Sequence, residues 1–402
     1  MTDTTVATTT AFPKFEITML ERFADYQWEA IENTTADGYI LNTFHIYKDG
    51  VSDDTLPPIF FQHGGTQSAD DWLSNQPDTS SPFFELVDAG HHVYLGNNRG
   101  VEYSQGHTTI TDPAEFYDYD YSGYFDDVAS QTSAMMSNYQ GSAQGIYVGY
   151  SLGTLQMLGA LSMASLSVAP FTDILQNIQH AILLAPCTVL DNGSQDVGTL
   201  SGLGIASIPS DNWEADVATV CDTLGADSVY CYFLSSIDAD FSGRIGTKLS
   251  DHMAQNTVSG IFGSYVSDWD NSASPQWGSN PPVEWPLAGI EMPITLVVAE
   301  NDTECTPERA EELATQFSTN GNLAGVYTIL EQDHLFFVNG TATEYTDLLE
   351  QEVANVIAGN AISVDGPFYT NITIVPEEED DSALSGLSTA FAVAFALLQF
   401  VF

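Results

Sequence analysis

The sequence predicts an α/β fold: a mainly parallel central sheet covered by helices on both faces and interrupted by one large insertion. Three observations predict it. Short apolar runs bounded by turn signals alternate with longer helix-period stretches, the pattern of parallel strands buried on both faces. One interval between two such runs, from Ala185 to Ile294, holds 108 residues, far more than a loop and enough for a subdomain. A Gly-x-Ser-x-Gly pentapeptide, Gly149 to Gly153, stands where a strand pattern gives way to a helix pattern.

The elements follow in order. Gln27 to Tyr47, split by Ala36-Asp37-Gly38, reads as an opening hairpin. Buried strands are expected at Pro58–Gln62, His92–Leu95, Gly145–Gly149, His180–Ala185, Ile294–Ala299 and Gly325–Leu330. Helix spacing marks Tyr124–Asn138, Leu152–Leu166, Pro307–Phe317 and Thr343–Ala358. The core then comprises residues 26–186 and 291–362, and residues 187–290 form a cap over the sheet's carboxyl edge, where α/β sheets bind ligands. Residues 1–25 are an N-terminal extension, 363–382 an acidic linker and 383–402 a hydrophobic tail. The insertion is rich in Ser, Gly and Asp, and periodicity does not define its interior. No internal repeat is visible.

Composition excludes some partners. Seven Lys and Arg stand against 55 Asp and Glu among 402 residues, a formal net charge of −48. Only 15% of residues are charged, against about 25% in typical soluble domains, so the acidity reflects a shortage of cations. A hydrophobic content of 44% supports a packed core rather than a disordered acidic chain. The field of such a chain repels phosphate backbones, which excludes nucleic acid and disfavours polyanionic substrates and anionic lipid. With a pI near 4.1 the chain stays negative at pH 5, which points to acidic digestive or saline surroundings.

The ends differ. Met1 to Leu20 has no apolar run of signal-peptide length. Ala383 to Phe402 is uncharged and reads as a lipid-anchor signal, with a retained membrane tail or a core helix as alternatives. Membrane contact would run through this tail. An anchor signal presupposes an entry signal, so further sequence is expected upstream and the location in the secretory pathway: extracellular, surface-anchored, lysosomal or vacuolar. Five sequons, at Asn33, Asn192, Asn301, Asn339 and Asn371, are compatible with a glycoprotein. Four cysteines, Cys187, Cys221, Cys231 and Cys305, allow three disulfide pairings, and none has zinc-ligand spacing.

The chemistry centres on Ser151. A nucleophile elbow needs small residues two before and two after its serine, because the tight turn crowds the backbone, and Gly149 and Gly153 occupy those places. The plainer reading is a capping serine at a glycine-lined helix start. In folds carrying such an elbow, the acid and then the base follow the serine. Of eight histidines, only His334 lies beyond the late strand that should deliver the acid. Asp302 ends the run from Ile294 on the following loop, with Glu300 and Glu304 as rivals; its short side chain just past a strand end suits a reach to His334. His63-Gly64-Gly65 directly follows the first buried strand, so the N–H groups of Gly65 and Leu152 are the candidate oxyanion donors. This chemistry needs no metal or organic cofactor, and no protein partner is indicated.

These segments together resemble the acid lipase family of α/β-hydrolases, the gastric and lysosomal acid lipases and related steryl-ester hydrolases. The resemblance runs from about Tyr26 to Val356. It is carried by Asp37-Gly38-Tyr39-Ile40-Leu41, Phe61-Gln62-His63-Gly64, Trp72-Leu73-Ser74-Asn75 and Asp88-Ala89-Gly90. The most specific stretch is Val93-Tyr94-Leu95-Gly96-Asn97-Asn98-Arg99-Gly100, and Glu115-Phe116 and His334-Leu335-x-Phe337 also fit. It implies the α/β-hydrolase fold, the triad Ser151, Asp302 and His334, a cap between the sixth and seventh strands, and a Cys221–Cys231 disulfide. Two departures stand out. The family usually has His before and Gln after the nucleophile, where this chain has Tyr150 and Leu152; an apolar residue usually follows the His-Gly pair, where Gly65 stands. Hydrolysis of lipid esters is the expected function. The alternatives are a carboxylesterase for small soluble esters and a catalytically silent, anchored binding protein.

Overall fold

The computed structural model describes residues 12–74, 81–190, 207–208, 218–219, 222, 245–267, 281–339, 343–359 and 369–370. Its strands are β1 (Gln27–Thr34), β2 (Tyr39–Tyr47), β3 (Ile59–Gln62), β4 (Val93–Gly96), β5 (Gly106–His107), β6 (Gly145–Tyr150), β7 (Ile178–Leu184), β8 (Ser207–Ile208), β9 (Ile245–Gly246), β10 (Ile294–Ala299), β11 (Leu323–Ile329) and β12 (Tyr369–Thr370). The helices are α1 (Pro13–Arg22), α2 (Asp71–Ser74), α3 (Pro82–Asp88), α4 (Pro113–Phe116), α5 (Tyr121–Asn138), α6 (Leu152–Ser165), α7 (Ile174–Asn177), α8 (Thr247–Ser259), α9 (Pro307–Asn320), α10 (Phe336–Asn339) and α11 (Thr343–Ala358).

One sheet runs β1-β2-β4-β3-β6-β7-β10-β11-β12, with β5 appended to β2. From β4 to β11 neighbours are parallel; the hairpin β1–β2, its join to β4, and β12 are antiparallel. The central strands β3, β4, β6 and β10 are buried at every position, which is why they read as continuous apolar runs. The β3-to-β4 connection steps one way along the sheet, whereas β4 to β6, β6 to β7 and β10 to β11 step the other way. With right-handed crossovers, α3 therefore lies on the face opposite α5, α6 and α9, and α11 packs beside α3. Helices thus cover both faces, and the strand order turns back between β3 and β4.

The expected buried strands are all present, within two residues at each end. Helix ends moved where caps decide them. α5 starts early because the Asp120 carboxylate accepts the Ser122 N–H, and α9 runs to Asn320, where Gly321 stops it in the left-handed conformation at φ +80°. α1 was not expected, since the Thr-rich start hides it. Pro13 opens it, and Phe15 and Met19, one turn apart, are buried, Phe15 against Trp28 and Phe44.

In the insertion, β8 pairs with β9, and α8 follows directly. His252 of α8 lies against Tyr121 and Trp285, and Trp285 meets Phe125 edge-on, so this part packs on α5. Cys187, after β7, is bonded to Cys305, after β10, with their Cα atoms 5.1 Å apart. Of the three pairings open to four cysteines, this is the one that would leave Cys221 for Cys231; both of these lie outside the described residues. The tail 383–402 and Asn192 and Asn371 also lie outside. Among the described residues, no helix is long and apolar enough to cross a membrane. Asn301 is exposed, whereas the Asn33 amide donates to Ser130 Oγ.

Candidate active site

Strand β6 delivers Ser151 into a sharp turn before α6. Its φ of +51° with ψ of −116° is a conformation that side chains rarely adopt, and it is held by the Ser151 N–H donating to the Leu184 carbonyl at 2.9 Å. The glycines around it are required by space. A Cβ on Gly149 would stand 2.8 Å from the Gly153 carbonyl oxygen, and one on Gly153 would stand 2.7 Å from that of Gln62. The second contact also shows that the end of β3 presses directly on the elbow. The Tyr147 hydroxyl donates to the Gly153 carbonyl at 2.7 Å, bracing the turn from below.

The loops after β10 and β11 bring two further side chains to the serine. Ser151 Oγ lies 2.9 Å from His334 Nε2, and His334 Nδ1 lies 2.8 Å from Asp302 Oδ2. Asp302 Oδ1 accepts the N–H groups of Glu304 and Cys305, both at 2.9 Å, which fixes the carboxylate's orientation. This arrangement assigns the tautomer: Nδ1–H donates to Asp302, and Nε2 is left to accept from Ser151. The Tyr150 hydroxyl donates to the His334 carbonyl at 2.9 Å, so the residue before the serine positions the ring behind it. Ser151, Asp302 and His334 are all buried. Burial opposes a charged ring, but the carboxylates of Glu304 and Asp302 outweigh it and lift His334 above its ordinary range.

The rivals of Asp302 fall elsewhere. Glu300 is exposed and accepts the Glu331 N–H at 2.7 Å. Glu304 is buried on the other side of the ring, its Oε2 3.4 Å from Nε2.

The loop after β3 carries Gly65, and Leu152 begins α6. His63 Nδ1–H donates to the Gly64 carbonyl at 2.8 Å, while its Nε2 accepts the Asn98 N–H at 3.2 Å, so the ring is neutral; burial holds it down to about 4. Asn97 Oδ1 accepts the Ala69 N–H at 2.9 Å, and its amide donates to the Asn42 carbonyl at 2.9 Å. Arg99 is buried with its guanidinium 2.8 Å from Asp127 and 2.6 Å from Asp37, over the Tyr39 ring at 3.9 Å. The stretch Asn97-Asn98-Arg99 thus staples this loop to β2 and α5. Sequence reasoning gave these residues no role and missed Asp127. The available signal was Arg99 itself, one of seven cations in the chain, directly after a buried strand. Among the described residues, no group of three or more His, Cys, Asp or Glu side chains could hold a metal.

Comparison with known proteins bears on the fold. Residues 17–76 match a partial alpha/beta-hydrolase lipase region, and residues 57–195 match the alpha/beta hydrolase fold. Triacylglycerol lipase 1 of Arabidopsis thaliana is 32% identical over 42% of this chain and 41% of its own. Bovine (Bos taurus) gastric triacylglycerol lipase is 35% identical over 31% of this chain and 34% of its own. These alignments therefore span less than half of either relative. Human (Homo sapiens) lipase member M is 24% identical over 84% of this chain and 86% of its own. Among solved structures, a Pyrococcus furiosus esterase gives a TM-score of 0.45 at 14% identity, covering 84% of this chain and 94% of that one. The chain carries the α/β-hydrolase fold and is similar to an acid-lipase-like group whose named relatives here are lipases.

Proposed function

We propose that the chain hydrolyses carboxylic esters of lipids, triacylglycerol or steryl ester, through an acyl-enzyme on Ser151. The observation that carries this reading is the hydrogen-bonded line from Ser151 Oγ through His334 to Asp302, beginning at a strained elbow. Ser151 Oγ attacks the ester carbonyl while His334 Nε2 takes its proton, and the same nitrogen then protonates the leaving alcohol. Asp302 holds the tautomer and stabilises the imidazolium. The N–H groups of Gly65 and Leu152 receive the developing oxyanion, each worth roughly 2.7–4 kcal/mol by analogy with removal of such donors. Water activated by His334 releases the acid by the same route.

The insertion, residues 187–290, acts as the cap that selects the acyl chain, and the chain works in the secretory pathway. Gly65 and Leu152, where the family carries other side chains, bear on that selectivity. Hydrolysis across acyl lengths from short to long, at pH 4 to 8, tests the reading beside a Ser151→Ala protein. Turnover rising with chain length and lost by about 10⁴-fold or more on substitution is expected. Turnover confined to short soluble esters would replace lipase by carboxylesterase, and equal rates for the two proteins would overturn the catalytic reading.

A further inference from the structure

Resting on that reading, we propose that Glu304 is a positioning residue that favours transfer of the Ser151 proton to His334 and sets the acidic limit of activity. The nitrogen that faces Ser151 Oγ at 2.9 Å faces Glu304 Oε2 at 3.4 Å, so two carboxylates flank the ring, Asp302 at Nδ1 and Glu304 at Nε2. Glu304 is 1% exposed, and its Oε1 has no hydrogen-bond partner among the described residues. That oxygen is therefore not buried to satisfy a structural donor, and the other is the one turned toward Nε2. Its backbone is fixed on both sides: the Glu304 and Cys305 N–H groups bind Asp302, and Cys305 is cross-linked to Cys187.

The consequence follows from the ring's protonation. In the neutral tautomer, Nε2 presents a lone pair, and an ionised Glu304 gains nothing from it. Once Nε2 has taken the serine proton, the same carboxylate faces an N–H of an imidazolium. The attraction is thus stronger where charge develops, which is the condition for lowering the barrier. The identical attraction stabilises the resting imidazolium, so it also raises the pH below which the base is lost. Burial and the charges of Asp302 and Asp333 push the Glu304 carboxyl up, while His334 opposes them. Tyr150, whose ring centre lies 5.3 Å from that of His334, also faces this pair and stays neutral through burial.

The test is Glu304→Gln, with Glu304→Met as a second neutral variant of similar volume, both read by the pH profile of kcat/KM. Removing the charge should move the acidic limb down by about one pH unit and lower the plateau by roughly tenfold, since both changes arise from one interaction. The downfield Nδ1–H proton resonance of His334, followed against pH, should report the same fall independently of turnover. A lowered plateau with an unmoved limb, or an unchanged His334 titration, would overturn the proposal. If the wild-type protein shows no esterase activity, the hydrolase reading fails by itself, whereas the resonance still decides whether Glu304 holds the ring's charge.

Discussion

The two sides of Ser151 are built from different interactions. On one side, the loop from Gln62 to Asp70 is held by neutral hydrogen bonds, from the Ala69 N–H to Asn97 Oδ1 and from the Asn98 N–H to His63, next to the buried Arg99 cluster. On the other, the loop after β10 is held by a covalent cross-link and carries the two carboxylates that flank His334. The difference matches the work of each side. Oxyanion donors serve best as fixed dipoles that do not titrate, so their loop is tied by groups that keep one protonation state. The base must gain and lose a proton, so its loop concentrates titratable groups and gains its rigidity from elsewhere.

Breaking the ion cluster beside the oxyanion loop should have the largest effect on stability. Arg99→Met leaves Asp127, which is fully buried, and Asp37 without their cation. Urea unfolding should show a loss of about 3–5 kcal/mol, and Arg99→Met with Asp127→Leu should recover part of it, because the cost is that of an unpaired buried charge. Opening the cross-link comes next. Cys305→Ala should cost roughly 2–4 kcal/mol by freeing a loop of 118 residues in the unfolded chain. At low temperature kcat should change little, since Asp302 still accepts two backbone N–H groups. A large fall in kcat would mean that the cross-link itself holds the carboxylate.

Acid should act gradually and should sharpen the contrast. His63 and His252 are buried, and burial holds each near 4, below an ordinary value of 6.5. Each uses one ring nitrogen as an acceptor of a backbone N–H, from Asn98 and from Tyr121, so protonation removes a bond as well as adding a charge. Between pH 6.5 and 4 the unfolded chain binds these protons and the folded chain does not. Their contribution is therefore complete above about pH 6.5 and declines at roughly 1.4 kcal/mol per pH unit per ring as pH falls toward 4. His63→Gln should flatten the dependence of the melting temperature on pH in this range. The composition points toward acidic surroundings, whereas these rings favour neutral ones, and the same melting series separates the two tendencies.

What the sequence disclosed follows from the range of each signal. Ser151 and its glycines are local, because one turn's sterics dictate all three residues. His334 emerged by elimination along the chain, and Asp302 by its distance from a strand end. The staples were hidden, since Asp127 and Gln131, whose Oε1 accepts the Asn97 N–H, lie in a helix whose spacing mixes polar with apolar residues, and only the packed fold reveals that both are buried. Glu304 was visible as a rival acid, but its place at Nε2 depends on the crossing of two loops. The Cys187–Cys305 pair was one of several arithmetically equal choices until β7 and β10 lay side by side. α1 was obscured because two buried residues in ten give little periodicity.

Reaction with a fluorophosphonate tests the central claim most directly. Ser151 Oγ should attack phosphorus and displace fluoride, leaving one phosphonyl group per chain on the peptide containing Ser151. His334→Ala should abolish fast labelling while leaving the fold intact by circular dichroism. Rapid stoichiometric labelling at Ser151 that needs His334 is the predicted result. Labelling elsewhere, or at the same rate without His334, would contradict the account.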